Sequence, residues 1–335
     1  MSFPKKNTPE MGPHQTYKGQ EGGLYGGGLN TPPPAHQAAA ERAVAQITPL
    51  DAAGNPAPDG KIVLLGLGMS NTRLIFQSFK QMADADPLKT PQVVLVNGAA
   101  GGQDARVWAD PYADYGRRLS LPGVGGEGTA WEYADAMLAL EGVTPAQVQV
   151  LWIYQALMNP GQRYGPFPGH AELLKECLGV MVREAKRRYP NLQIVFLSSR
   201  TYVGYAVRPL NPEPFAYESA FAVRWLIQEQ IAGNPRYNYD PEKGPVVAPV
   251  MVWGPYLWAD GMVPRKGDGL VWERSDFTPV PDGTHPSASG AKKAAQILLD
   301  FFHSDALTQG WFLSQGEQPP DQVMTGQARS FPKGR

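Results

Sequence analysis

At 335 residues, 42 % of them hydrophobic and 18 % charged, the chain can bury a substantial core in one large domain or two small ones. Its formal net charge of −1 supplies neither the basic field that nucleic acid requires nor a polybasic membrane patch. A single cysteine, Cys177, excludes an internal disulfide and a cysteine-based zinc site, and no run approaches the ~20 apolar residues of a membrane-crossing helix.

Residues 1 to about 35, with GGLYGGGLNTPPP near their end, read as a glycine- and proline-rich arm on the surface or as partly disordered chain. Tyr17, Leu24 and Tyr25 are the side chains able to pin it. The opening MSFPKKNTPEMGPHQ is too polar for a secretory leader, so a secreted or periplasmic location requires a leader removed from this chain. Ala35–Ile47 predicts a helix, closed by TPLDAAGNPAPDG.

Five short apolar runs then predict parallel strands covered on both faces: Ile62–Leu67, Gln92–Val96, Val148–Ile153, Gln193–Leu197 and Val246–Val252. Helical stripes fall between them: Ile75, Phe79 and Met82; Leu174, Cys177, Leu178 and Met181; Phe221 and Trp225. A last stripe, from Ala291 to Phe302, closes the pattern. This alternation predicts an α/β fold, a three-layer α/β/α arrangement on a flavodoxin-like, doubly wound parallel sheet of about five strands. The expected organisation is an arm and helix over 1–60, a catalytic domain over 61–310 and a tail over 311–335, loose from about Gly316. Irregular insertions around Trp108–Gly128, Tyr154–Gly169 and Leu257–Pro281 are long enough to be functional loops.

In open parallel sheets the ligand site lies beyond the carboxyl ends of the strands, so chemistry is sought just after each one. In Lys61–Asn71, KIVLLGLGMSN, an apolar strand runs through Gly66 and Gly68 and delivers Ser70 to a helix start. Several hydrolases mount a nucleophile in this way. Near the last helix stands Asp282-Gly283-Thr284-His285-Pro286-Ser287. A carboxylate there can hold one imidazole nitrogen while the other takes a serine proton. The plainer reading is a capped turn, with Ser287 as N-cap and Asp282 in an Asx-turn. After the second strand, Asn97–Gly102 (NGAAGG) either brings a backbone N–H to a reacting oxygen or needs glycine only for positive φ. Gln155, after the third strand, either donates to an oxyanion or satisfies loop carbonyls.

Together these blocks resemble the SGNH (GDSL-type) hydrolase superfamily over roughly Lys61 to His303. Gly68-Met69-Ser70-Asn71 stands where the family has its G-D-S-like block, Gly102 closes an N-x-x-x-x-G frame, and Asp282 with His285 forms D-x-x-H. Met69 replaces the usual acidic residue. The G-x-N-D block is absent; the place of its asparagine falls on Gln155, with Asn159 an alternative donor. The resemblance implies a serine esterase in which Ser70 attacks, His285 is the base and Asp282 orients it. The oxyanion would be held by the N–H groups of Ser70 and Gly102 and the side chain of Gln155. It implies no cofactor and no metal, and a small-molecule or polysaccharide ester as substrate, since it covers lipases, acyl-thioesterases and arylesterases alike; aromatic residues near the site would suit a carbohydrate ester, for example an acetylated polysaccharide. Arg200, Tyr202, Tyr256 and Trp258 are the candidate substrate-binding residues; the plainer reading of Arg200 is a structural ion pair.

Other chemistries fit less well. A dinucleotide fingerprint starting at Gly66-Leu67-Gly68 would need its third glycine at Asn71 and an acid at Asn97. The five histidines, His14, His36, His170, His285 and His303, lack ligand spacing. The non-enzymatic alternative is a carbohydrate- or peptide-binding groove built from Trp253, Tyr256, Trp258, Trp272, Tyr202 and Tyr205.

Overall fold

The computed structural model describes residues 8–113 and 116–314. The loose tail expected from Gly316 lies outside them. Five apolar runs form one parallel sheet: β1 (Ile62–Gly68), β2 (Val93–Asn97), β3 (Val148–Tyr154), β4 (Ile194–Ser198) and β5 (Val250–Trp253), in spatial order β2-β1-β3-β4-β5. That is the flavodoxin-like order, whose switch point lies between β1 and β3.

The central strands are almost wholly apolar because helices cover both faces, with Gln149 in β3 and Ser198 at the end of β4 the buried polar exceptions. Successive side chains point to opposite sides. Val63, Leu65 and Leu67 enter a core shared with α3 (Ala105–Ala109), α4 (Ala130–Leu140), α5 (Gly169–Arg188) and α6 (Phe215–Ile231). Ile62 and Leu64 enter another with α1 (Pro34–Val44), α2 (Ser70–Asp84) and α7 (Ala288–Ser304). The result is three layers, α/β/α. On α7 the stripe Ala291, Ala294, Ala295, Leu298, Leu299 and Phe302 is buried, so the turn just before this helix is anchored by its whole length.

The fifth strand is shorter than its sequence suggests. Val246–Pro249 is apolar but stays out of the ladder. Pro245 and Pro249 have no N–H to give, and the N–H groups of Val247 and Ala248 turn to the Asn238 carbonyl at 2.8 and 3.2 Å. The outer edge of β5 is met by side chains instead. Gln230 accepts from the Met251 N–H at 2.8 Å, and His36 Nε2 lies 2.8 Å from the Met251 carbonyl. An edge satisfied in this way offers no template to another strand.

The N-terminal segment is held by buried charged residues of α6. The Tyr17 hydroxyl and Lys18 Nζ donate to Glu218 at 2.6 and 2.8 Å, while Arg224 donates to the Glu21 carbonyl at 2.5 Å. Trp253 donates to the Leu24 carbonyl at 2.7 Å. At the other end a short helix, Gln309–Phe312, buries Trp311 and Phe312 against Phe302. Among the described residues no helix is long and apolar enough to cross a membrane.

Candidate active site

Ser70 opens α2 at the carboxyl end of β1, beside the switch point. Gly68 makes this position attainable. A β-carbon there would lie 2.1 Å from Thr72 Oγ1 and 2.3 Å from the Tyr154 carbonyl oxygen, so any larger residue would push β1, α2 and β3 apart. The Thr72 hydroxyl donates to that same Tyr154 carbonyl. The Gly68 carbonyl accepts from the Ala100 N–H at 3.0 Å, which ties the loop after β2 to the turn that carries the serine.

The turn before α7 brings the other two groups. Ser70 Oγ lies 2.8 Å from His285 Nε2, and His285 Nδ1 lies 2.8 Å from Asp282 Oδ2. Ser287 caps α7 by accepting from the Gly290 N–H, and Asp282 also accepts from the His285 backbone N–H at 3.2 Å. The capped turn and the Asp–His pair are therefore one structure. Asn71 donates to the Thr284 carbonyl at 3.0 Å, clamping the turn to the first turn of α2. Burial by itself would raise the Asp282 pKa. Hydrogen bonds from Thr278 and His285 outweigh it and hold the carboxyl below its usual range. Asp282 is thus ionised at neutral pH, and the network calls for the Nδ1–H tautomer of His285. The side chains of His285 and Asp282 are 29 % and 22 % exposed, so the site opens directly to solvent.

Gly102 takes φ +76°, the left-handed region where glycine is favoured, and is exposed. Among the described residues, neither its N–H nor that of Ser70 donates to a protein acceptor. Gln155 sits differently from the expected free donor. It is only 2 % exposed, its Nε2 donates to the Gln103 carbonyl at 3.1 Å, and its Oε1 accepts from the Ala156 N–H at 2.9 Å. Its amide joins the loops after β2 and β3, next to Gly102. Asp104, a residue that sequence reasoning missed, does the same work. It is fully buried, caps α3 by accepting from Arg106 and Val107, and accepts from the Met158 N–H at 3.0 Å. An aspartate just before a helical pattern is a cap signal, but its bond to Met158 has no local trace.

The four expected substrate-contacting residues are not a groove. Arg200 is 1 % exposed and lies over the Tyr154 ring at 4.8 Å, with no carboxylate within 4.0 Å among the described residues. It is neither a surface contact nor an ion pair. Tyr256 and Trp258 are buried, because Arg265 gathers the Tyr256 and Trp258 carbonyls and folds the insertion inward. Tyr202 is half-buried against Tyr205 and Trp258. Trp253 and Trp272 are also core residues, so of the six aromatic residues of the binding-groove reading only Tyr202 and Tyr205 keep part of their surface. Among the described residues no cluster of three or more His, Cys, Asp or Glu side chains could hold a metal ion.

Trp258 Nε1 instead donates to Glu213, whose carboxyl also accepts from the N–H groups of Val203 and Tyr217. Burial pushes Glu213 up to about 7 despite these donors. The folded state then binds a proton more tightly than the unfolded chain, so this contribution to stability is present below the ordinary glutamate range and is lost as pH rises through 7. A Glu213→Gln variant is expected to show less loss of stability between about pH 4.5 and 7.5, by on the order of 3 kcal/mol. Denaturant melts across that range check it; parallel pH curves for the two proteins would contradict it.

No protein-family model matches the sequence, and no curated protein matches it. Among solved structures, the chain is similar to a candidate GDSL-like lipase from Parabacteroides merdae, at 13 % identity over 75 % of this chain and 96 % of that one, TM-score 0.38. It is similar to a catalytic mutant of an acetylxylan esterase from Geobacillus stearothermophilus, at 13 % identity over 76 % and 97 % of the two chains, TM-score 0.36. An extracellular lipase from Streptomyces rimosus gives 12 % identity over 72 % and 99 %, TM-score 0.34. Likeness at this level assigns neither family nor chemistry.

Proposed function

We propose that this chain is a divergent SGNH-type serine esterase that hydrolyses carboxylic esters through an acyl-enzyme. The observation that carries the reading is the unbroken line from Ser70 Oγ through His285 to Asp282, with both hydrogen bonds at 2.8 Å. A serine hydroxyl is a weak nucleophile until a base takes its proton, and an imidazole is a suitable base when its second nitrogen is held by a carboxylate.

Ser70 Oγ attacks the ester carbonyl while His285 Nε2 takes the hydroxyl proton. Negative charge collects on the carbonyl oxygen, where the N–H groups of Ser70 and Gly102 donate to it. The intermediate collapses by breaking the acyl–oxygen bond, and His285 returns the proton to the departing alkoxide. Water then attacks the acyl-enzyme, His285 takes its proton, and release of the carboxylic acid restores Ser70. The substrate class that fits is an acyl group on a carbohydrate, since an open site admits an ester carried by a larger molecule. A thioester or amide would follow the same steps, and preference among acyl donors is read from relative kcat/KM.

Gln155 supports the oxyanion site by fixing the Gln103 carbonyl beside Gly102. Gln155→Ala is expected to lower turnover of a short aryl ester by about 10²-fold, the cost of a donor displaced by about an ångström. Asn159→Ala, whose side chain caps nothing, is expected to cost far less. The reverse order would move the third oxyanion donor to Asn159. The function itself is tested by assaying purified protein on p-nitrophenyl acetate. Catalysed release of nitrophenolate is expected, and a rate equal to that of buffer would sink the proposal. A non-catalytic sugar- or peptide-binding role has less support, since Trp253, Tyr256, Trp258 and Trp272 are buried and only Tyr202 and Tyr205 keep partly exposed rings.

A further inference from the structure

We infer that the ester is carried by a polyanionic chain, an acidic polysaccharide, an inference that rests on the esterase reading above. It starts from four arginines, Arg73, Arg117, Arg163 and Arg208. Each is exposed, and each follows a different strand at the carboxyl edge of the sheet: β1, β2, β3 and β4 in turn. None has a carboxylate within 4.0 Å or a side-chain hydrogen bond to protein among the described residues.

Their neighbours place them around the triad. Arg73 lies three residues after Ser70 on α2, and residues so spaced share a helix face. The Arg117 carbonyl accepts from Gln103, the residue after Gly102. Arg163 ends the short helix Pro160–Arg163, whose cap residue Asn159 donates its N–H to the Leu210 carbonyl at 2.7 Å, so the loops of Arg163 and Arg208 are joined. Arg208 follows Val207, whose N–H donates to the Asp282 carbonyl at 3.0 Å.

Carboxylates of the same loops are committed elsewhere: Asp104 to α3 and Met158, Glu213 to Val203, Tyr217 and Trp258, Asp282 to His285. Exposed Asp110 and Glu127 offset part of the charge. Beneath the rim, Arg200 adds a buried positive charge with no counter-carboxylate among the described residues. A chain of formal net charge −1 thus gathers unpaired cations on one edge.

The spacing favours an extended partner over a single headgroup. The first turn of α2 and the segments of Arg117, Arg163 and Arg208 follow adjacent strands, and three inter-strand steps span about 14 Å. One phosphate or carboxylate can meet one or two of these guanidinium groups; a repeating anion can meet them in sequence. Guanidinium pairs well with carboxylate, sulfate and phosphate alike, so the shared chemistry is an oxyanion repeated along the chain.

The test compares the wild-type enzyme on acetylated polygalacturonate, on acetylated neutral xylan and on vesicles of an anionic phospholipid. The expected result is a higher kcat/KM on the acetylated polyuronate, with the advantage shrinking as salt rises from about 50 to 500 mM. In a protein carrying Arg73→Gln, Arg163→Gln and Arg208→Gln the ratio of polyuronate to xylan activity should fall roughly tenfold or more, at about twofold to fivefold per exposed ion pair. Arg42→Gln, on α1 and sharing a cavity with Gln193 and Val250 at the amino ends of β4 and β5, should leave the ratio alone. A wild type that shows no polyuronate preference while hydrolysing neutral esters overturns this inference and leaves the esterase reading standing. Preference for the phospholipid over the polyuronate overturns it also. Failure on every ester, p-nitrophenyl acetate included, removes both.

Discussion

Ser70→Ala is expected to lower kcat on p-nitrophenyl acetate by about 10⁶-fold, with the protein still folded. In the proposed mechanism the hydroxyl is the atom that becomes acylated, and without it His285 has no proton to take from the enzyme. Residual rate would come from the oxyanion site and binding alone. Little else depends on this side chain: Ser70 opens α2, and its hydroxyl has His285 as its partner. Thermal unfolding should therefore move little. Retained activity in this variant would place the nucleophile elsewhere.

The second large effect is at Asp282. Asp282→Asn is expected to reduce kcat by about 10⁴-fold, with KM changed little. The carboxylate accepts from His285 Nδ1–H, from the His285 backbone N–H and from the Thr278 hydroxyl, and it stays ionised because those bonds outweigh its burial. An amide at the same place can offer an N–H toward Nδ1. That arrangement favours the tautomer with its proton on Nε2, where it can no longer accept from Ser70. Steady-state kinetics with a chromogenic ester measures it. A loss below about tenfold would show that His285 is oriented by some other group.

How much of this could be read from the chain depends on how local each feature is. The four strands from Ile62 to Ser198 are legible because burial on both faces forces runs that are almost wholly apolar, Gln149 being the one interior polar residue. Val246–Pro249 looks the same and is not strand, since two prolines and the pull of Asn238 outweigh side-chain character. Ser70, Asp282 and His285 are legible because a strand-to-helix turn and a three-residue Asp–His spacing are short-range patterns. Gln155 stands where the pattern asks for a donor, yet its actual partners, Gln103 and Ala156, depend on how two separate loops meet. The aromatic residues of 253–272 read equally well as surface or core. Tyr256 and Trp258 are turned inward where Arg265 gathers their carbonyls, and Trp272 where its ring N–H reaches the Leu257 carbonyl, contacts that no spacing encodes.

The arginines differ again. Each is unremarkable in sequence, and their common edge becomes visible only when the strand order puts the start of α2 and three later segments side by side. Asp104 is a cap by its sequence and a tie between loops only by its fold.

The central claim is that Ser70 is an activated nucleophile. Incubation with a fluorophosphonate, followed by digestion and mass spectrometry, tests it most directly. The adduct should form on Ser70 alone among the serines, and the rate should collapse in the Asp282→Asn variant. An unlabelled Ser70 in folded protein, or labelling spread over several serines at rates indifferent to Asp282, would contradict the account.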